Sequence, residues 1–454
     1  MLSVKLQNLN KYYQIQSYII TFFFCILPIS LIVGNLATNI NILLIDILFI
    51  IISFNKKYWT WSRKKLFLIL IILWIYQIIN SVFYINNSTI LPSFAFHINE
   101  MSKILSGAFH IKEMSLIRSL GFIRFVIFFF AIDFFFTQFP KILKKIFLFW
   151  TIILMVILFD TIFETIFGSN IIGSISPSGR RVVSFFGDEL VVGAYILGLG
   201  YLISGYLISI DSSLKVKKII YNLILFLVPV CIFFSGERAN FIKASIIFFL
   251  MILFIKENLL VIKKKYFFLF FLVTIILTIF VSKEIYNTHA QFFKRIVYSK
   301  NQNFFKSFEN IKYFAHYEVA WQIFKDNPVI GVGGKNFRHI CSRPKYHNSE
   351  IKFGSERCST HPHQVHFELL SEHGLIGYIF IISLILIFCI RNFKYFLIKK
   401  NTLHLASILY VFFIFIPLIP SGSLFATFNA TIFWINFSIC YFCYKNKNKL
   451  IYTS

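Results

Sequence analysis

About twelve stretches of this chain, the first beginning near Ser17 and the last ending near Tyr444, are almost free of charge and long enough to cross a bilayer as helices. They cover 17–34, 38–54, 66–85, 117–137, 146–167, 189–209, 219–235, 241–255, 266–282, 375–391, 403–419 and 425–444. A soluble fold cannot absorb so many. A β-barrel is excluded as well, because the runs are continuously apolar and not alternating. The first run lacks a small-residue cleavage site and reads as a retained span. The expected fold is an all-α membrane protein of about 12 transmembrane helices, with one large periplasmic loop between spans nine and ten. Residues 1–282 hold helices 1–9, 283–374 the periplasmic loop with a catalytic segment, and 375–454 helices 10–12 with a cytoplasmic tail.

A formal net charge of +26 would suggest nucleic acid as partner of a soluble protein. Here the lysines crowd the connections after even-numbered spans, as in Lys56, Lys57, Lys64 and Lys65, or Lys263, Lys264 and Lys265. The positive-inside rule then puts these connections and both termini in the cytoplasm, and no nucleic-acid partner is implied. The arginines run against that bias. Arg180, Arg181, Arg238, Arg295, Arg338, Arg343 and Arg357 all fall on the opposite side, with Arg118 and Arg124 in the outer half of the fourth span. Only Arg63 and Arg391 are cytoplasmic. Orientation alone cannot produce such a skew.

Guanidinium and imidazole chemistry therefore gathers at the outer face. Arg180 and Arg181 precede the sixth span, and Arg238 sits in the tight turn Ser235–Asn240. A planar guanidinium grips phosphate oxygens bidentately and keeps its charge at any relevant pH, which suits a pyrophosphate at the membrane surface. The plainer reading is interfacial anchoring, or a Glu237–Arg238 pair. Arg124, on an apolar helix, needs to face the bundle interior or to pair with an acid such as Asp160.

Thr360–Phe380 concentrates titratable groups, among them His361, His363, His366, Glu368 and Glu372, ahead of Gly374 and Gly377. His363 can take a proton from a hydroxyl. Residues 363–373 read as helical, so that Glu368 or Glu372 could orient an imidazole. A metal site from His361, His363, His366 and Cys358 is the rival, but His-Pro-His is not a normal zinc spacing and Pro362 stiffens the pair apart. Cys341 and Cys358 are the only cysteines in an outward loop and suit a disulfide. Gly331-Val-Gly333-Gly334 lacks the strand and the Lys-Ser/Thr of a phosphate loop and reads as a turn.

His363-Gln364, nine residues, Gly374, two residues and Gly377 resemble the signature of the O-antigen ligase and polymerase superfamily. The text from Trp321 to Phe337 is similar to the family's segment before that histidine. Arg181 with Phe186-Gly187-Asp188, and Ser235 to Arg238, resemble its two arginine-bearing external turns. The resemblance covers roughly 180–380. It departs at Tyr317, beside His316, where family members often carry Arg, and at Gln364, where Asn is common.

The resemblance implies a metal-independent, inverting glycosyltransferase without cofactor, in the bacterial inner membrane. His363 would be the catalytic base, Arg181 and Arg238, with Arg180, would hold the pyrophosphate, and Glu368, Glu372 and Gln364 would support the site. The implied donor is an undecaprenyl-pyrophosphate-linked glycan. The acceptor is lipid A-core in a ligase, or another lipid-linked glycan in a polymerase, and membrane lipids surround both. The short loop before the sixth span and the single large late loop favour the ligase. A twelve-span transporter or flippase is the rival from another class, but no repeated halves are visible.

Overall fold

The computed structural model describes residues 2–55, 57–87, 115–177, 181–210, 214–281, 312–347 and 353–446. Arg180, Arg295, most of the 86–116 connection, the start of the large loop and the end of the tail lie outside the described residues. Among the described residues every regular element is helical. The principal helices are α1 (Leu2–Val33), α2 (Asn35–Asn55), α3 (Lys65–Asn87), α4 (Ser115–Gln138, with a turn at Phe122) and α5 (Pro140–Phe167). They continue with α6 (Val192–Ser209), α7 (Lys215–Phe234), α8 (Arg238–Phe254), α9 (Lys264–Val281) and α10 (Lys312–Asp326). The chain closes with α11 (Val365–Lys399), α12 (Thr402–Phe413) and α13 (Thr427–Lys445).

Eight described helices are long and apolar enough to cross a membrane: α1 to α7 and α11. The chain is a multi-pass membrane protein. Each of the expected apolar segments falls on a helix, but α8 and α12 are short for a crossing.

Helices that are apolar all round belong in the middle of a bundle, and α4 shows it. Phe125, Phe128, Phe129, Phe130, Phe135 and Phe136 are all buried on one short helix, packed against α13 and α2. Helix α6 is buried to a similar degree and carries a π-helical turn at Ile196–Gly200. The widened turn leaves a carbonyl at Gly198, which accepts from Asn436 Nδ2 of α13 at 3.0 Å.

The two ends of the bundle differ. At one end the chain makes a lysine-rich rim, where Asp133 is buried between Lys64 at 2.9 Å and Lys445 at 3.1 Å. At the other, the turns at 181–191, 235–240 and 420–423 and the segment 312–374 interlock through backbone hydrogen bonds. Val182 N–H donates to Ser235 O at 3.3 Å and Ser421 N–H to His363 O at 2.8 Å. Lys243 Nζ donates to Pro420 O at 2.9 Å.

Candidate functional site at the start of α11

Helix α11 begins at Val365, not at His363. Gln364 is its N-cap: the side-chain oxygen accepts from His366 N at 2.6 Å and Phe367 N at 3.2 Å, while its Nε2 donates to Ile416 O at 3.2 Å. The expectation of a helix over 363–373 holds from Val365 and misses only its first two residues, because Gln364 caps the helix and His363 takes a left-handed backbone, with φ 58°. Cap chemistry is local. Its effect is to detach His363 from the helical face that carries Glu368 and Glu372.

Gly374 breaks the same helix further on, with φ 62° and ψ −169°. The break frees backbone groups, and the 328–333 turn takes them up. Val332 N–H donates to Ser371 O at 3.0 Å and Gly333 N–H to Glu372 O at 2.9 Å; Leu375 N–H donates to Pro328 O at 2.8 Å and Ile376 N–H to Val329 O at 3.2 Å. Only a residue without Cβ fits on either side of this contact. A Cβ on Gly374 would lie 2.4 Å from Val329 O, and one on Gly331 2.5 Å from the Glu372 carbonyl carbon. The Gly331-Val-Gly333-Gly334 stretch is thus a turn, shaped to fit the break in α11.

The two carboxylates face into this joint. Glu372 accepts from the backbone N–H of Lys335 at 2.7 Å and of Phe337 at 3.2 Å. Glu368 accepts from Leu424 N at 2.9 Å and from the Ser423 hydroxyl, and lies 3.7 Å from Lys335 Nζ, which also bonds Ser423. All three groups are buried, and burial, then the Glu368 charge, push Glu372 up to about 7. Neither acid is hydrogen-bonded to His363; both tie the large loop and the 420–424 turn to α11.

His363 keeps other company. Its Nε2 lies 2.9 Å from Ser359 Oγ, and its ring centroid lies 4.2 Å from His361, 5.2 Å from His316 and 5.3 Å from Tyr313. Burial first, then the neighbouring charges of His361, His316 and Lys312, push His363 down to about 3. Burial and the Lys335 charge hold His361 near 4. The imidazoles are neutral at physiological pH, and His363 can accept a hydrogen bond or a proton.

This histidine pocket is braced from behind. Cys341 and Cys358 form a disulfide, with Cα atoms 5.3 Å apart. Beside it Arg357 donates to Cys341 O at 3.0 Å and Ser342 O at 3.2 Å, and Arg357 O lies 2.8 Å from His316 Nδ1. Cys358 is thereby removed from any metal set. His366 turns away too, with its ring nitrogens on Phe415 O at 2.7 Å and the Tyr378 hydroxyl at 3.1 Å. Tyr317 stacks on Phe367 at 4.9 Å, so this helix presents His316, not residue 317, to His363.

The arginine turns are joined to each other. Arg181 Nη2 donates to Leu190 O at 3.0 Å and lies 3.5 Å from Glu237 Oε1, and Glu237 accepts from Gly193 N at 2.7 Å and from Asn240 Nδ2 at 2.5 Å. Glu237 thus pairs with Arg181, and its neighbour Arg238 opens α8. Asp160 does not pair with Arg124. It accepts from Ile171 N at 2.8 Å and from the Ser184 hydroxyl, which fixes the turn ahead of α6, while the acid whose field reaches Arg124 is Asp46.

Ser359, Tyr313 and His316 join the site without having been singled out as members of it. Ser359 was in principle traceable as the neighbour of Cys358, but the approach of α10 to His363 is tertiary information.

These elements define a class: a multi-pass membrane protein with titratable side chains and arginine turns gathered at one end of its bundle. Residues 223–382 match the family model described as O-Antigen ligase, a segment running from within α7 into α11 and containing Arg238, Trp321, His363, Gly374 and Gly377. Over that segment, about a third of the chain, the protein is similar to this family, in agreement with the spacing of His363, Gly374 and Gly377. No curated protein matches the chain.

Proposed function

We propose that the protein is an O-antigen ligase-like glycosyltransferase of the bacterial inner membrane. It moves a polysaccharide from undecaprenyl pyrophosphate to lipid A-core at the periplasmic face, with both termini cytoplasmic. The observation that carries this reading is His363. It is held off the helix in a left-handed conformation, neutral, among rings and a hydroxyl, inside the segment that matches the family.

His363 takes the proton of the acceptor hydroxyl as its oxygen attacks the anomeric carbon. The new C–O bond forms on the face opposite the breaking bond to pyrophosphate, so the configuration inverts. Arg181 and Arg238, with Arg180, receive the charge that develops on the leaving pyrophosphate. A histidine pushed down to about 3 is a weak base in the free protein. Negative charge brought in by the donor raises it in the complex, which couples base strength to donor binding. Glu368, Glu372 and Gln364 support the site by fixing the start of α11.

A polymerase would use the same centre with a second lipid-linked glycan as acceptor. The test is the surface glycan of a deletion strain, with its lipid-linked intermediates. Full-length polymer stranded on undecaprenyl pyrophosphate above bare lipid A-core is expected. Core carrying one repeat unit without longer chains would assign the polymerase, and an unchanged profile would overturn both.

A further inference from the structure

Beside the Gly374 break lies a half-open cavity of about 250 Å³ whose charge is of one sign. Arg118 and Arg124 of α4 reach it from one side, Lys335 and Arg338 from the other. Among the described residues no Asp or Glu lines it. Arg118, Arg124 and Arg338 form no ion pair among the described residues; Glu372 is committed to backbone N–H groups and Glu368 to Ser423 and Lys335, while Asp46, whose field reaches Arg124, lies outside the lining. Burial, then the charges of Arg338 and Arg118, press His339 down to about 4, a sign of how positive this corner is.

The lining also holds buried polar atoms without partners among the described residues. They are Arg124 Nε, Arg338 Nε, Gln77 Nε2 and both ring nitrogens of His373. His373 is 1% exposed and Gln77 3%. Buried polar atoms without partners are costly, about 1–3 kcal/mol each, and rare in finished proteins. Here they converge on one space, and that space is positive. The matching ligand is a compact, multiply charged oxyanion.

Apolar surface continues from the charged end. Phe122 and Phe425 line the cavity and also a small apolar void between α3, α11 and α13 that includes Leu70, Ile381 and Trp434. The void is only about 30 Å³, so it marks apolar surface along which a hydrocarbon chain would run beside a charged head and does not itself hold one.

We propose that this cavity is a second anion site, taking the phosphate or pyrophosphate head of a lipid-borne substrate. It rests on the glycosyltransferase reading, and it is separate from the Arg181 and Arg238 turns. From Val365 to His373, α11 rises about 12 Å, which is the separation along the helix between this cavity and the His363 end.

The experiment is equilibrium binding of a short-chain prenyl pyrophosphate to the full-length protein in nanodiscs, with prenyl alcohol as the uncharged control. Two molecules per chain are expected. The double variant Arg118→Gln/Arg338→Gln should weaken one site at least tenfold and leave the other, with an unchanged melting temperature. The lysine pair Arg118→Lys/Arg338→Lys should restore part of that affinity. Two unaltered sites in the glutamine variant, or equal competition by prenyl alcohol, overturn the proposal. Arg181→Gln is the separate check: two unaltered sites there would remove the pyrophosphate grip proposed above while the cavity stands. In turnover, a raised KM for acceptor alone would identify the cavity's occupant as acceptor, and a raised KM for donor alone as donor.

Discussion

Two clusters of titratable side chains flank the first turns of α11 and are built on opposite rules. In the joint around Lys335, Glu368 and Glu372, every charge is buried and met by a hydrogen bond or an opposite charge. In the pocket around His363, three imidazoles crowd together, pushed toward neutrality with no carboxylate bonded to them. The hydrogen-bonded groups of the joint hold a shape, and the imidazoles, which bond no carboxylate among the described residues, are free to face a substrate hydroxyl. Residues 363, 368 and 372 are close in sequence, but sharing a stretch does not give them a shared task.

Substitutions that separate the clusters test this contrast, and the largest effect belongs to His363. His363→Ala should lower transfer by about 10²–10⁴-fold at normal membrane abundance and melting temperature, read by in vitro glycan transfer. Glu368→Ala should do the reverse. It leaves Lys335 buried without its acid, at about 3–5 kcal/mol, and should show first as lost abundance and a lowered melting temperature. Equal loss of activity in a stably folded Glu368→Ala would erase the distinction.

The next effect is at the arginine turns. Arg238→Lys should cost roughly tenfold or more in kcat/KM, since a charged hydrogen bond is worth about 1.5–3 kcal/mol and an ammonium cannot reproduce the fork. Wild-type rates would reduce Arg238 to an anchor. A smaller change is expected from Cys341→Ser with Cys358→Ser. The loop should lose about 2–4 kcal/mol of local stability, visible as faster proteolysis between 341 and 358, with transfer reduced only a few-fold.

The smallest effect is with pH. His316, His361 and His363 all titrate lower folded than unfolded. Their unfolded forms bind protons first, so the stability they contribute is complete above about 6.5 and declines as pH falls toward 4. A melting temperature that drops over that window, and drops less in His361→Gln, is expected; a flat profile would mean the pocket is wetter than its packing implies.

Much of the fold was legible because hydrocarbon solvent imposes a simple rule. Each apolar run must become a helix, and each did. The signature around His363 and Gly374 was legible as a spacing. Its parts were not. Gln364 carries an N-cap oxygen, a local signal readable from the chain, but extending the helix to His363 concealed it. The partners of Glu368 and Glu372 come from Ser423, Leu424 and the 335–337 backbone, tens of residues away, and no periodicity announces them. The same holds for Arg118 and Arg338, which lie 220 positions apart in sequence and meet at one cavity.

The capped start and the glycine break of α11 together make the stretch between them a ruler. Ten steps separate Gln364 from Gly374, which is a little under three helical turns. One inserted residue would lengthen it by only about 1.5 Å but swing the break about 100° around the axis, away from the 328–333 turn. Side chains along this stretch can therefore vary more freely than its length. In an insertion scan, a single alanine after Phe367 should be worse than two conservative side-chain exchanges within the same stretch.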